Sequence, residues 1–76
     1  MNKPLLKCID AFENETEHIE IGGMHIENRL KLITIYGLLD IPKTSYGLDK
    51  ILSLKRHIDA IAQKLKDENL PSAYLE

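Results

Sequence analysis

The chain contains little or nothing of several features that would point to a particular class of protein. Its 76 residues include one cysteine and no tryptophan. A single cysteine excludes an internal disulfide framework and a four-cysteine zinc site, and it is typical of a reducing cytoplasm. No apolar run approaches the roughly 20 residues of a membrane-spanning helix, and the first residues lack the apolar stretch of a signal peptide. We therefore expect a cytoplasmic protein with no membrane partner.

An excess of positive charge is also missing. The formal net charge is −2, with 29% charged and 43% hydrophobic residues. Non-specific nucleic-acid binding usually needs a net basic surface, so this balance disfavours it. The hydrophobic content can supply a core, and a chain of this length has room for one small domain, residues 1–76.

The most apolar segment runs from Leu30 to Tyr36, with the sequence LKLITIY. β-Branched and aromatic residues dominate it, and apolar residues fall on both alternation faces. A strand that is apolar on both faces is expected to be covered on both. We therefore predict that this is the most buried strand of the sheet.

Two alternating segments flank Gly22-Gly23, the composition of a two-residue hairpin turn. In the register that this turn sets, Ile21 faces Met24 and Ile19 faces Ile26, which forms one apolar face. The opposite face is polar and carries His18, Glu20, His25 and Glu27.

Asn28-Arg29 separates this hairpin from the apolar segment and allows two interpretations. A second tight turn here gives a three-stranded meander over residues 18–36, whereas a bulge gives one long bent strand. We favour the meander, because three strands and a helix can bury a face that a two-stranded ribbon cannot.

Helical spacing of apolar residues occurs on both sides of the strands. It predicts a short N-terminal helix over residues 4–13 and a long amphipathic helix over 45–68, with Thr44 or Ser45 as N-cap and a tail over 70–76. His57 is interpreted as a boundary residue beside the apolar stripe of the long helix. The predicted fold class is α+β: a small antiparallel three-stranded sheet with both helices, the long one packed on it.

No combination of residues predicts chemistry. His18, Glu20, His25 and Glu27 are a possible zinc ligand set, but simple alternation also generates a His/Glu-rich polar face, and we favour that interpretation. Cys8 has no surrounding nucleophile motif and is expected to fill space in the core. We predict no catalytic, cofactor or metal site, and hence a protein that is not an enzyme.

A mismatch in length favours contact with another protein. About 22 helical residues span roughly 33 Å, whereas three strands make a sheet about 15 Å wide with strands about 20 Å long. Part of the helix stripe should therefore overhang the sheet, unless the stripe is all intramolecular core. A homodimer could cover it by a helix–helix seam or by edge-to-edge pairing of sheets. The predicted interface residues are Ile51, Leu54, Ile58, Ile61 and Leu65.

The functional hypothesis is a small non-enzymatic regulatory or inhibitory protein that binds another protein, as a homodimer. The alternative is a small nucleic-acid-binding regulator that uses Arg29, Lys31 and the helix lysines. In size and in its lack of catalytic motifs, the chain resembles the small accessory proteins of bacterial phages, plasmids and mobile elements, a class that includes inhibitors of host defence systems. The resemblance covers no specific motif.

Overall fold

The structure is a computed structural model that describes residues 8–68 and Leu70. Within these residues the chain forms three strands and one helix, and the strands make one antiparallel sheet in the order β1-β2-β3. The predicted α+β class and three-stranded antiparallel sheet are confirmed. The elements are β1 (His18–Ile21), β2 (Gly23–Asn28), β3 (Ile33–Leu38) and α1 (Ser45–Lys66).

The first hairpin has the predicted register, with Ile21 opposite Met24 and Ile19 opposite Ile26. Gly22 has a positive φ of 58°, a conformation that glycine adopts without a steric penalty. The turn and the alternation pattern are both local signals, and here they agree with each other.

The second connection makes a meander, the interpretation that we favoured. Asn28 is the last residue of β2 and pairs with Ile33, the first residue of β3. The connection therefore spans residues 29–32, so it is longer than a tight turn at Asn28-Arg29. Leu30 and Leu32 lie in this connection and not in a strand.

The prediction that the Leu30–Tyr36 segment forms the most buried strand is wrong. Its strand, β3, is an edge strand, and the central strand is β2. Ile26 of β2 is fully buried, whereas Ile35 is 46% and Leu38 72% exposed. The physical reason is the strand order: among the described residues, β3 has a neighbouring strand on one side only, and its faces are incompletely covered.

The predicted N-terminal helix over residues 4–13 is also wrong where it can be compared. Residues 4–7 lie outside the described residues, and residues 8–13 form no helix. Phe12 has a positive φ of 64°, and the amide of Glu13 closes a turn onto the carbonyl of Asp10 at 3.0 Å. The amide of Ile9 donates to a side chain elsewhere in the fold, and so does the amide of Phe12, so neither supports a helix.

The long helix α1 begins as the sequence predicts. Thr44 is the N-cap, and its hydroxyl accepts a hydrogen bond from the amide of Gly47 at 3.2 Å. Lys64 and Lys66 lie in the last turn, where positive charge opposes the negative end of the helix dipole.

The core lies between the sheet, the helix and the N-terminal segment. Its buried centre is Ile26 with Ile9 and Ala11. Around it pack half-buried residues from all these parts: Phe12, Ile19, Ile33, Leu54, Ala60 and Ile61.

Candidate protein-contact surface

The helix faces the rest of the protein with a line of residues that differs from the predicted stripe. Gly47 and His57 are its buried residues. Both belong to a line of residues along one side of the helix, spaced alternately three and four positions apart, whose other members are half-buried. This docking line consists of Gly47, Lys50, Leu54, His57, Ile61 and Lys64.

Gly47 allows the first turn of the helix to approach the preceding loop closely. A Cβ atom at this position would lie 1.9 Å from the carbonyl oxygen of Pro42 and 3.3 Å from Ile41. Only a residue without a side chain fits at this contact, so Gly47 helps to fix which side of the helix turns inward.

His57 holds the middle of the docking line. It is 7% exposed, and its Nδ1 accepts a hydrogen bond from the amide of Ile9 at 3.1 Å. Burial lowers the pKa of His57, the nearby Arg56 lowers it further, and Glu17 acts in the opposite direction. The prediction of a boundary position for His57 is therefore wrong, because the residue is part of the packed interior.

The rotation of the helix divides the predicted interface residues into two groups. Leu54 and Ile61 pack against the protein's own core. Ile51, Ile58 and Leu65 are between 37% and 40% exposed. The exposed residues are spread along the helix, so their exposure results from its rotation as well as from its length. Together with Leu48 and Leu52, we call these exposed residues the helix flank: Leu48, Ile51, Leu52, Ile58 and Leu65.

The edge strand β3 adds a second exposed apolar region. Ile35 points to the same face of the sheet as the core residue Ile26, its cross-strand partner, yet it is 46% exposed. Tyr36 and Leu38 point to the opposite face and are 45% and 72% exposed. The helix backbone approaches β1 more than it approaches β3, which leaves the core side of β3 incompletely covered.

A groove brings the end of the helix flank close to the loop that leads into β3. Leu65 and Lys64 line it from the helix, and Leu30 and Lys31 line it from the connection. Its volume is about 470 Å³. The helix flank and the region of β3 are therefore neighbouring parts of one side of the molecule near Leu65.

Asn28 holds the N-terminal segment in place through side-chain hydrogen bonds. It is 2% exposed, and its Oδ1 accepts from the amide of Phe12 at 2.9 Å. Its Nδ2 donates to the carbonyl of Asp10 at 2.8 Å and to Oε1 of Glu17 at 3.2 Å. Sequence reasoning assigned Asn28 to a turn and missed this role, for which the sequence offers no periodic signal.

The polar face of the sheet carries a row of stacked rings. His18 stacks on His25 with ring centroids 5.1 Å apart, and His25 stacks on Tyr36 at 5.0 Å. Nε2 of His18 and Nδ1 of His25 are 2.9 Å apart and share a hydrogen bond. Within the part of the chain that the structure describes, no three His, Cys, Asp or Glu residues are grouped to hold a metal ion.

Glu27 is engaged at the end of this row. The hydroxyl of Tyr36 donates to its Oε2 at 2.8 Å, and Arg29 pairs with its Oε1 at 3.2 Å. The Tyr36 hydroxyl, followed by Arg29, lowers the pKa of Glu27, and the same hydrogen bond raises the pKa of Tyr36. The carboxylate of Glu27, one of the two in the possible zinc ligand set, is thus held by a phenol and a guanidinium.

Two basic residues that the nucleic-acid hypothesis would use are paired with acids. Arg29 pairs with Glu27, and Lys64 pairs with Glu13 and, at 3.9 Å, with Glu68. The hydrogen bond from Lys64 to Glu13 raises the pKa of Lys64.

No protein-family model, curated protein or solved structure matches the chain. Among residues 8–68 and Leu70, no helix combines the length and the apolar character that a bilayer crossing requires.

Proposed function

We propose that the protein is a small non-enzymatic regulator or inhibitor that acts by binding another protein, and that it does so as a homodimer. One observation carries this proposal. Among the residues that the structure describes, four hydrophobic residues are buried, whereas thirteen large hydrophobic residues are exposed. Monomeric soluble proteins rarely expose contiguous apolar patches of more than a few hundred Å², and larger ones mark interaction sites.

The distribution of these residues supports a contact role further. Nine of the thirteen belong to the helix flank and to the β3 region of residues 32–38. Apolar side chains of this kind contribute to binding through the hydrophobic effect. This effect is non-directional, so a contact surface built from them needs no precisely placed polar groups. The surrounding charged residues of both signs are typical of the polar rim of a protein interface.

The nucleic-acid alternative has less support. Arg29 and Lys64 both have acidic partners, so phosphate binding would have to displace an ion pair. The net charge of −2 also opposes approach to a polyanion.

Affinity capture from an extract of the native host tests the binding role. Three baits are compared: the wild type, Ile58→Lys and Gln63→Lys. Both substitutions add one lysine to an exposed helical position, but only Ile58 belongs to the helix flank. We expect one protein to be retained by the wild type and by Gln63→Lys and to be lost from Ile58→Lys.

Two results would overturn the binding role. One is a set of captured proteins that is the same for all three baits and for empty resin. The other is nucleic acid as the specifically retained material, with binding that weakens steeply as salt increases, as phosphate contacts require.

A further inference from the structure

Within residues 8–68 and Leu70, the free edge of β3 lacks the charged residues, the proline and the covering segment that usually protect a strand edge from pairing. Its sequence, ITIYGL, contains no charged residue and no proline. Natural proteins commonly protect such edges with lysine, proline or a covering segment, and an exposed apolar edge is a template for another strand. The other edge strand, β1, carries His18 and Glu20 and lies beside the helix.

The hydrogen-bond pattern determines which backbone groups this edge presents. The amide of Asn28 donates to the carbonyl of Glu17, on the β1 side of β2. In an antiparallel ladder successive residues alternate sides, so His25 and Glu27 direct their backbone groups toward β3. Their partners are Tyr36 and Thr34. The backbone N–H and C=O groups of the intervening Ile35, and of Ile33, therefore point to the open edge.

We propose that two copies of the chain pair through β3, antiparallel and centred on Ile35, to form one six-stranded sheet with both helices on the same face. This inference rests on the homodimer in the proposed function and names its surface. In this register Ile35 of each copy exchanges both backbone hydrogen bonds with Ile35 of the other. Ile33 lies opposite Gly37 of the second copy.

The register covers the exposed apolar residues of both sheet faces. On the helix face the two Ile35 side chains become neighbours. On the other face Tyr36 lies opposite Thr34 of the second copy, and Leu38 lies opposite Leu32. A shift of one residue would place the helices on opposite faces of the sheet.

The charges at the two ends of the strand are complementary in this arrangement. Lys31 lies before β3 and Asp40 lies after it. Antiparallel pairing brings the start of one strand beside the end of the other, so Lys31 of each copy approaches Asp40 of the other. A parallel arrangement would place like charges together.

Apolar side chains around β3 supply about half of the area that a stable dimer needs. A specific interface buries about 800 Å² per partner. Large apolar side chains each carry on the order of 150–200 Å² of accessible surface. At the exposures observed for Leu30, Leu32, Ile35, Tyr36 and Leu38, the β3 region and Leu30 together offer roughly 400–500 Å² of apolar surface, and the paired backbone and polar side chains of the strand add to it.

Cysteine cross-linking tests the register in a Cys8→Ser background, with oxidised glutathione as oxidant. Opposed residues of a hydrogen-bonded pair have Cα atoms about 5.5 Å apart, which a disulfide can span. Ile35→Cys should therefore give a disulfide-linked dimer. The two Thr34 residues would be diagonal neighbours about 7–8 Å apart, and the two Ile33 residues would be farther apart. Thr34→Cys and Ile33→Cys should therefore give about tenfold less disulfide-linked dimer than Ile35→Cys.

A second variant and a rival position make the result decisive. The double variant Thr34→Cys/Tyr36→Cys places cysteines opposite each other, so it should cross-link although Thr34→Cys alone does not. Ile58→Cys reports a helix–helix seam instead. A dimeric mass would overturn the β3 pairing, but leave the homodimer, if it came with either of two results. One is cross-linking through Ile58→Cys, and the other is equal cross-linking through Ile33→Cys and Ile35→Cys. A monomeric mass with no cross-link overturns the pairing and the homodimer, and leaves the binding role to the capture experiment.

Discussion

Nδ1 of His57 accepts a hydrogen bond at 3.1 Å from the backbone amide of Ile9, 48 positions away in the sequence. The bond joins the N-terminal segment to the middle of the helix. It requires a lone pair on Nδ1, and therefore the tautomer with its proton on Nε2. Protonation of the ring would place a second donor against the amide of Ile9. The helix is thus docked by a hydrogen bond that depends on the protonation state of a histidine.

We expect the free energy of unfolding to depend on this protonation. Burial, with help from Arg56, lowers the pKa of His57 below its ordinary value of 6.5. Below that pH the unfolded chain binds a proton that the folded protein does not, so stability falls as the pH falls from 6.5 toward the lowered pKa. Above 6.5 this contribution is fully present. Urea unfolding at several pH values between 5 and 8 measures it.

The variant His57→Asn isolates the effect of protonation from that of the hydrogen bond. Asparagine offers an acceptor near the position of Nδ1 and does not titrate, so stability should vary less between pH 5 and 6.5. An unchanged pH dependence in this variant would assign the effect to other groups.

Asn28→Ala should destabilise the protein by about 2 kcal/mol, because it leaves the amide of Phe12 without its acceptor and removes one of the two donors to the carbonyl of Asp10. Thr16→Ala, an exposed substitution in the same segment, is the matched control and should change stability by less than about 0.5 kcal/mol. Urea midpoints of the two variants measure the difference. Equal midpoints would mean that the Asn28 contacts do not hold the segment.

Gly37→Ala should also destabilise the protein, by about 2 kcal/mol or more. Gly37 has φ 107°, and a Cβ there would lie 2.1 Å from the carbonyl oxygen of Gly23. At Gly22, φ is 58° and a Cβ would meet the end of the Leu39 side chain, which can move. Gly22→Asn is therefore the milder control, since asparagine tolerates this region. Thermal melts of both variants should show the larger loss for Gly37→Ala.

Local signals explain which parts of the fold could be predicted from the sequence. The Gly22-Gly23 turn and the alternation beside it involve neighbouring residues, and so does the Thr44 cap. The prediction of an N-terminal helix was wrong because two of its backbone amides donate to distant side chains: Ile9 to His57 and Phe12 to Asn28. Periodicity contains no information about such partners.

The contact surface could be predicted only in part, for a related reason. A strand that is apolar on both faces fits the centre of a sheet, and it equally fits an edge that another chain covers. The sequence pattern does not distinguish a central strand from an edge strand, because the order of the strands depends on how the strands and the helix pack together in the folded protein. The rotation of the helix likewise depends on Gly47 and His57. Neither residue is a large apolar one, so the periodicity of apolar residues does not predict that they are buried.

The mass of the wild-type protein in solution tests the central claim most directly. Sedimentation equilibrium at micromolar concentrations should give twice the 8.7 kDa of one chain. Ile35→Lys, which places charges at the centre of the proposed strand pair, should sediment as a single chain and retain its circular dichroism spectrum. A wild-type mass of 8.7 kDa at every concentration would contradict the claim that a second copy covers the exposed apolar surface.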